Sequence, residues 1–374
     1  MDFLTSIVIL NYNTIDFIQT CIESIRAFTA EGHYELIVVD NGSVDGSVEW
    51  LKLQDDLKCI FNSENVGFPR GCNQGMEIAT GTEIMLLNSD VIVTPRWHEQ
   101  MIRALYSDDE IGAVGCVTNS CSNGQQIEVP YKNMDIDMLL DFAEKYNHSN
   151  PKLWTMHFTL VGFCFMFKRC IYDSIGGLDE KFSPGNYEDD DYSLRIMLAG
   201  YKTVLCRDTF IHHYGSGSFI KKRTPEEELR HKRKYMALLE RNFGYFKNKW
   251  HILDDMYKGC TNGLIAASEK SIFGARILVI ARNRLSFICY LKCQDKQFRI
   301  DYLTDNKLDY DLMHKFSNIY YCDDLLEGLK SNITVKYDCV LLSNTVSNYA
   351  QKDDFKQCLI NISSGIIIYD NFDC

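Results

Sequence analysis

Apolar residues open this chain in short unbroken runs, each closed by a small polar cluster and followed by a stretch of helical period. Ser6-Ile7-Val8-Ile9-Leu10 is the first run and predicts a strand buried on both faces. Asn11-Tyr12-Asn13 follows as a turn. Ile15, Ile18, Ile22 and Ile25 then recur at the spacing of one helix face, with Asn13 or Thr14 as N-cap. Leu36-Ile37-Val38-Val39 repeats the pattern and ends in Asp40-Asn41-Gly42-Ser43, before a helix expected over residues 47–53. Strand, turn and helix in alternation predict a parallel sheet covered on both sides.

Residues 84–87 form another short run, bounded by Asn88-Ser89-Asp90. Upstream of it, Gly71 and Gly75 are one helical repeat apart, so they share a face and allow close packing on the sheet. Residues 111–117 and 160–167 predict further strands. Gly162 in the latter either lets the backbone approach a ligand or relieves crowding. Thr224-Pro225-Glu226-Glu227 is a helix start, with Thr224 as N-cap, Pro225 at the first helical position and Glu227 completing a capping box. Residues 251–272 read as a linker. Runs at 277–280, 298–303, 319–322, 339–342 and 365–370 then open a second strand series. The chain is therefore expected to hold one domain over residues 1–250 and a smaller Rossmann-like domain over residues 273–374.

Composition narrows the function classes. With 374 residues the chain is too long for one ordinary core. A net charge of −12 argues against general nucleic-acid binding and requires a local basic cluster or a metal to hold any anionic ligand. The 15 cysteines show no Cys-X-X-Cys pair, which points to a reducing cytosol and away from a structural zinc site. No secretory signal is evident, and the apolar stretch at 160–167 is far below the roughly 20 residues of a membrane helix. The expectation is a soluble or at most peripheral protein.

Candidate chemistry gathers where strands end, since open α/β sheets bind ligands at their carboxyl edge. Asp90 there suits an oxygen ligand for a hard divalent cation, or a cap for the next element. Asp40 is placed to accept hydrogen bonds from a nucleoside base or ribose. Asn11-Tyr12-Asn13 contains no glycine, so the dinucleotide fingerprint is absent, as is the basic glycine loop of a nucleotidyltransferase. Arg70, at a helix start, either meets a phosphate or is a surface arginine. The consecutive acids Glu188-Asp189-Asp190-Asp191 repel one another unless solvated or put to use. They are either a solvated helix start or a working acid group, and Leu194, Met197, Leu198 and Tyr201 give the helix an apolar face. His212-His213 is a metal site or a structural pair. Lys221-Lys222-Arg223 is the basic cluster an acidic protein needs for a diphosphate, on a loop able to close over it. The next helix carries Leu229, Met236, Leu239 and Phe243 among lysines and arginines. It either packs ordinarily or touches an anionic membrane.

Ile9-Leu10-Asn11-Tyr12-Asn13, Val38-Val39-Asp40-Asn41-Gly42-Ser43, Asn65-Val66-Gly67-Phe68, Gly71-Cys72-Asn73-Gln74-Gly75 and Leu86-Leu87-Asn88-Ser89-Asp90 together resemble family 2 glycosyltransferases of the GT-A fold. The likeness is greatest to the bacterial rhamnosyltransferase-like subgroup and fades near Trp250. The resemblance implies an α/β GT-A fold, a nucleotide-sugar donor, Mn²⁺ or Mg²⁺, and an inverting reaction. It implies that Asn11, Asp40 and Asn41 contact the nucleoside, and that Arg70 and Asn73 lie near the base and diphosphate. Asn88-Ser89-Asp90 replaces the family's DxD motif. Asn88 stands where the first aspartate is expected, which weakens one polar contact, while Asp90 keeps the metal position.

Gly176-Gly177-Leu178-Asp179-Glu180-Lys181-Phe182 and Tyr187-Glu188-Asp189-Asp190-Asp191 resemble the acceptor side of the same family. Matched residue by residue, Asp189 falls on the catalytic base, Glu188 is its neighbour and Asp191 a supporting acid. The resemblance also implies that His213, with His212 second, completes the metal site, and that the polar stretch 119–146 faces the acceptor. The expected donor is a UDP-sugar, UDP-GlcNAc first and dTDP-rhamnose second. The expected acceptor is a bacterial surface glycan, a lipid-linked precursor or a surface protein such as flagellin. The expected location is the cytoplasm, with or without contact at the inner face of the membrane.

The last domain weakly resembles a methyltransferase fold through Tyr337-Asp338-Cys339-Val340-Leu341-Leu342, but Ala281-Arg282-Asn283-Arg284 replaces the glycine loop. It is therefore expected to be degenerate and to serve docking, homodimerisation or acceptor delivery. The rival readings are an inactive scaffold of the same fold and a nucleotidyltransferase.

Overall fold

The opening apolar run becomes strand β1 (Thr5–Asn11), followed by helix α1 (Ile15–Phe28), β2 (Tyr34–Asp40), α2 (Ser47–Leu51) and β3 (Leu57–Phe61). The chain continues through α3 (Phe68–Ile78), β4 (Glu83–Asn88), β5 (Val91–Ile92), α4 (Trp97–Leu105) and β6 (Ile111–Val117). Next come α5 (Ile136–Tyr146), β7 (Trp154–Met156), β8 (Cys164–Lys168), α6 (Arg169–Ile175), α7 (Glu188–Leu198), β9 (Lys202–Phe210), β10 (His212–His213) and α8 (Pro225–Trp250). This computed structural model describes residues 3–121, 123–131, 135–215, 224–250, 274–282, 285–293, 298–315 and 318–369. It divides into two units, one of Met1–Met197 with Tyr201–Tyr245, the other of Leu198–Gly200 with Phe246–Cys374.

The first unit is built on an eight-stranded sheet of order β3-β2-β1-β4-β8-β6-β9-β7. β1, β2, β3 and β4 run parallel, and β8 runs antiparallel between β4 and β6. The expectation of a mainly parallel α/β sheet is met. Unbroken apolar runs arise because both faces are covered. Ile7 and Ile9 pack with Ile18 and Ile22 of α1 and Trp97 of α4 on one side. Val8 packs with Cys72 and Met76 of α3 and Tyr192 of α7 on the other. Truncating one of these isoleucines to alanine costs about 2–5 kcal/mol. Gly71 and Gly75 let α3 lie close on β1, since a Cβ there would stand 2.3 Å from Leu10 Cδ1 and 2.4 Å from Val8 Cγ1.

Register places the polar strand ends side by side: Asn11 lies opposite Asp40, and Leu10 opposite Asn88. A two-stranded antiparallel ribbon pairs β10 with β5, setting His213 across from Val91.

Some boundaries differ from expectation. α2 stops at Leu51, and Leu53 is 77% exposed. The run at 160–167 is a strand only from Cys164. Before it, the N–H groups of Leu160, Val161 and Gly162 leave the ladder and donate to Ser193 Oγ, Gln125 Oε1 and Asp189 Oδ2. Thr14 is the N-cap of α1 without a side-chain cap bond; the Ile15 N–H is held instead by Asp45 Oδ2 at 2.9 Å. The capping box at Thr224 and Glu227 forms as its sequence predicts.

The second unit holds five parallel strands in the order β13-β12-β11-β14-β15, here β11 (Arg276–Ile280), β12 (Arg299–Thr304), β13 (Asn318–Tyr321), β14 (Tyr337–Leu342) and β15 (Ser363–Tyr369). Where a glycine loop would cradle a cofactor, Arg282 forks onto Asp305 at 2.6 and 2.5 Å and donates to the Thr345 carbonyl at 3.0 Å. It thereby ties the carboxyl ends of β11, β12 and β14. Asn283, Arg284 and the expected linker 251–272 lie outside the described residues.

Candidate active site

The strand ends β1 and β2 form a closed polar knot. Asn11 Nδ2 donates to Asp40 Oδ2 at 2.7 Å and to Ser43 Oγ at 3.2 Å, while Asn11 Oδ1 accepts from Thr14 Oγ1 at 2.6 Å. Asp40 Oδ1 accepts the Ser43 N–H at 2.8 Å, and Ser43 Oγ accepts the Asn13 N–H at 2.8 Å. Asn41 donates to Asn65 Oδ1 and the Gly67 carbonyl and accepts from Asn62. Asn11, Asp40 and Asn41 are buried. The structure brings these three expected nucleoside contacts together as the scaffold of a loop. The side chain that loop presents outward is Tyr12, 41% exposed. Sequence reasoning passed over Tyr12 and Ser43, although both lie inside the quoted motifs.

Arg70 sits exposed in the first turn of α3, with a guanidinium nitrogen 4.0 Å from Glu180 Oε2. Asn73, one turn on, is committed to the segment before α7. Its Oδ1 accepts the Leu178 N–H at 2.8 Å, and its Nδ2 donates to the Leu178 carbonyl at 3.0 Å and Glu180 Oε1 at 3.1 Å. A Cβ on Gly177 would lie 2.3 Å from Asn73 Oδ1, so glycine there makes the pairing possible.

Asp90 and His213 meet across the β5–β10 ribbon, Oδ1 to Nε2, at 3.2 Å. The Asn88 amide nitrogen lies 3.4 Å from the same Nε2, and Ser89 Oγ is 3.1 Å from Thr14 Oγ1. His213 Nδ1 faces the Ser120 carbonyl at 2.8 Å, and that contact requires the proton on Nδ1 and leaves Nε2 turned toward Asp90. Asn119 brackets the His213 backbone on both sides, accepting its N–H and donating to its carbonyl. Phe163 stacks on the ring at 5.2 Å. Burial works against the His213 cation, but the Asp90 carboxylate outweighs it and holds the imidazole above its ordinary range.

Strand alternation turns His212 to the opposite face. Its Nδ1 lies 2.9 Å from Tyr131 Oη, and burial, followed by the His213 charge, pushes its pKa down to about 4. The structure therefore brings His213, and not His212, to Asp90. The sequence signal for Asn119 and Ser120 was the polar step after the buried run of β6, the same logic that singled out Asp40.

The donor set fits a divalent cation. Two ligands in adjacent positions on an octahedral ion with bonds of about 2.1 Å are about 3 Å apart. One carboxylate and one imidazole leave the remaining positions to phosphate oxygens and water. Among the described residues no group of three or more His, Cys, Asp or Glu gathers to hold a metal by itself. An open cleft of about 580 Å³ is lined by Asn119, which brackets the His213 backbone, and by Gln126, Ile127, Glu128 and Val129.

The acidic run forms the first turn of α7, and its members separate by environment. Asp189 Oδ2 accepts the Gly162 N–H at 3.0 Å and Oδ1 accepts the Asp190 N–H at 2.9 Å. Burial nevertheless raises its pKa above the usual carboxylate range, against the pull of those N–H groups. Glu188 is buried, and desolvation, then the Asp189 charge, push it well above that range. Asp191 is buried 3.6 Å from Arg195, which donates to the carbonyls of Gly177 and Ile175 and so braces the turn ahead of α7. Asp189 and the Asp90–His213 pair are joined by consecutive residues, Gly162 bonding Asp189 and Phe163 stacking on His213. Lys221, Lys222 and Arg223 lie outside the described residues.

Residues 6–176 match the sequence model of the family described as "Glycosyl transferase family 2". Glycosyltransferase GlyG of Streptococcus pneumoniae is 36% identical over 230 residues, which are 59% of this chain and 74% of that protein. Putative glycosyltransferase EpsH of Bacillus subtilis is 33% identical over 144 residues, 37% of this chain and 39% of that protein. The matched stretches span 28%, 39% and 36% of the length of three curated relatives. Among solved structures, mannosyltransferase PcManGT from Pyrobaculum calidifontis, in complex with GDP-Man and Mn²⁺, aligns with a TM-score of 0.42 and 20% identity over 56% of each chain.

Proposed function

This chain belongs to glycosyltransferase family 2, and from that premise we propose that it moves a sugar from a nucleoside-diphosphate donor to an acceptor hydroxyl with inversion. The observation that supports the reading is the link through the consecutive residues Gly162 and Phe163, one bonded to the Asp189 carboxylate and the other stacked on the imidazole that pairs with Asp90. A divalent cation, Mn²⁺ or Mg²⁺, held by Asp90 and His213 would supply positive charge for the departing diphosphate.

Asp189 acts as the base. It takes the proton of the acceptor hydroxyl as that oxygen attacks the anomeric carbon. The bond from that carbon to the diphosphate oxygen breaks on the opposite side, and the electron pair leaves with the nucleoside diphosphate. Burial and the Asp189 charge disfavour the Glu188 anion, which favours carrying the negative charge of this neighbouring pair on Asp189. Asn11, Asp40, Asn41 and Ser43 set the loop that offers the Tyr12 ring to a nucleobase. Arg70 and the basic cluster Lys221-Lys222-Arg223 contribute charge for the diphosphate. Asn73 and Asp191 hold the turn between α6 and α7.

The resemblance to family 2 supports UDP-GlcNAc first and dTDP-rhamnose second as donor, and a bacterial surface glycan, lipid-linked precursor or surface protein such as flagellin as acceptor. Among the described residues no helix is long and apolar enough to cross a membrane. Exposed Leu229 and Met236 on basic α8 support peripheral contact with an anionic membrane in the cytoplasm. The second unit, closed at its strand ends by Arg282, is assigned docking, homodimerisation or acceptor delivery rather than methyl transfer. A scaffold reading draws on Asn88 and on the limited protein ligand set.

The test is thermal stabilisation by UDP, dTDP and GDP, each with and without Mn²⁺, because a ligand bound to the folded state raises its stability. A metal-dependent shift with one nucleotide supports the reading and names the donor class. No shift with any of them favours the scaffold.

A further inference from the structure

The segment leading into α7 adopts a backbone that it would not hold alone. Gly185, Asn186 and Tyr187 have φ of +155°, +75° and +74°, and the last two are not glycines. Such residues persist only where the surroundings over-determine them. Glu188 and Asp189 follow at once, so whatever fixes this segment also fixes the proposed base.

The fixing comes from one face of α8. Asn242 is fully buried, and the two N–H groups of its Nδ2 are shared among the carbonyls of Phe182 at 2.7 Å, Gly185 at 2.9 Å and Asn186 at 2.9 Å. Its Oδ1 accepts from Arg241 Nε at 2.9 Å and Nη2 at 2.8 Å, which orients the amide. Arg241 Nη2 also donates to the Ser183 carbonyl. Around this centre, Tyr235 Oη donates to Asn186 Oδ1 at 3.3 Å, Tyr245 Oη to Asp179 Oδ2 at 2.9 Å, and the Tyr187 ring stacks on Phe243. An apolar side chain at 242 would leave those carbonyls without the amide donor, and a carboxylate would repel them.

We propose that Asn242 is a positioning residue for transfer: its amide pins the loop 182–187 and thereby holds Asp189 in register with Gly162 and the acceptor. This rests on Asp189 being the base. Nothing in residues 6–176, the span matched by the family model, contains or predicts this clasp. A solely architectural asparagine would support the fold without acting on turnover.

The experiment compares wild type, Asn242→Leu and Arg241→Ala as full chains. Amide hydrogen exchange of residues 182–190 is read without ligand. Hydrolytic release of nucleoside diphosphate, with water taking the sugar in place of the acceptor hydroxyl, is read with UDP-GlcNAc, dTDP-rhamnose and GDP-mannose, each with Mn²⁺. Asn242→Leu is expected to speed exchange in 182–190 about tenfold or more, with strands β1, β2 and β4 unchanged. It should lower kcat about 10- to 100-fold while the donor KM moves less than about threefold. Arg241→Ala, on the exposed side, should move both readouts the same way by less, and it decides the matter if Asn242→Leu does not fold. Unchanged exchange, or kcat within about twofold of wild type, overturns the proposal. Full activity of Asp189→Asn would overturn the base and leave the clasp to be judged by exchange. If wild type hydrolyses none of these donors, the clasp is decided by exchange alone, and unchanged exchange in 182–190 overturns it.

Discussion

The backbone N–H of Gly162 donates to Oδ2 of Asp189 at 3.0 Å. This bond spends a strand's ladder donor on a carboxylate at the head of a helix. It fixes the carboxylate without neutralising it, and it stands one residue from the ring that stacks on His213.

Asp189→Asn keeps an oxygen for that N–H but cannot take a proton at the reacting pH. Transfer should fall by about 10²- to 10⁴-fold, the usual worth of a general base. Nucleotide- and Mn²⁺-dependent thermal shifts should stay at wild-type size. Loss of both together would mean that the substitution damaged the donor site instead.

The two histidines should separate cleanly. Asp90→Ala and His213→Ala should each remove the Mn²⁺-dependent part of nucleotide binding, measured by calorimetry with and without metal. His212→Gln should keep it, because its ring faces Tyr131 and not Asp90. Its cost should appear in stability, at about 1–3 kcal/mol for a disturbed buried hydrogen bond.

Glu188 should make stability depend on pH in a defined direction. Its folded pKa lies well above the unfolded value of about 4.3, so the folded state resists losing this proton. Below both values the group costs nothing. As pH rises through the unfolded value and on to the folded one, the unfolded chain releases the proton first and stability falls. Glu188→Gln should therefore raise Tm relative to wild type at pH 7, with the difference shrinking as the pH is lowered toward 4. An equal difference at every pH would remove the buried acid from the account.

Two glycine-to-alanine changes in helices should have opposite signs. At Gly75 a Cβ would lie 2.4 Å from Val8 Cγ1, and valine is stiff about χ1. Overpacking of about 1–3 kcal/mol outweighs the gain of about 1 kcal/mol in helix propensity. At Gly244 of α8 nothing lies within 4 Å, so Gly244→Ala should gain about 0.5–1 kcal/mol. Denaturant unfolding of both variants checks the contrast.

Strands β1, β2 and β4, the helix faces between them, the close approach of α3 and the Thr224 capping box were all legible in the amino-acid order. Each is written in a local period or a short spacing, because a strand covered on both faces must be apolar at every position. Asp90 was legible for a related reason, a polar group ending a buried run, whereas Asp189 stood in a run of consecutive acids and His213 in a histidine pair, and the family resemblance singled each of them out.

Tertiary structure alone decided what each of them meets. It turned His213 to Asp90 and His212 to Tyr131, since strand alternation assigns opposite faces but not which face looks at the site. It closed Asn11 and Asp40 on each other and left Tyr12 exposed. It broke the expected strand at 160–163 by offering its N–H groups to Ser193, Gln125 and Asp189. It also brought Asn242 of α8 to a loop 56 to 60 residues away in the chain. Periodicity records how deeply a residue is buried; the partner of a buried polar group is set by topology, which joins residues that share no local pattern.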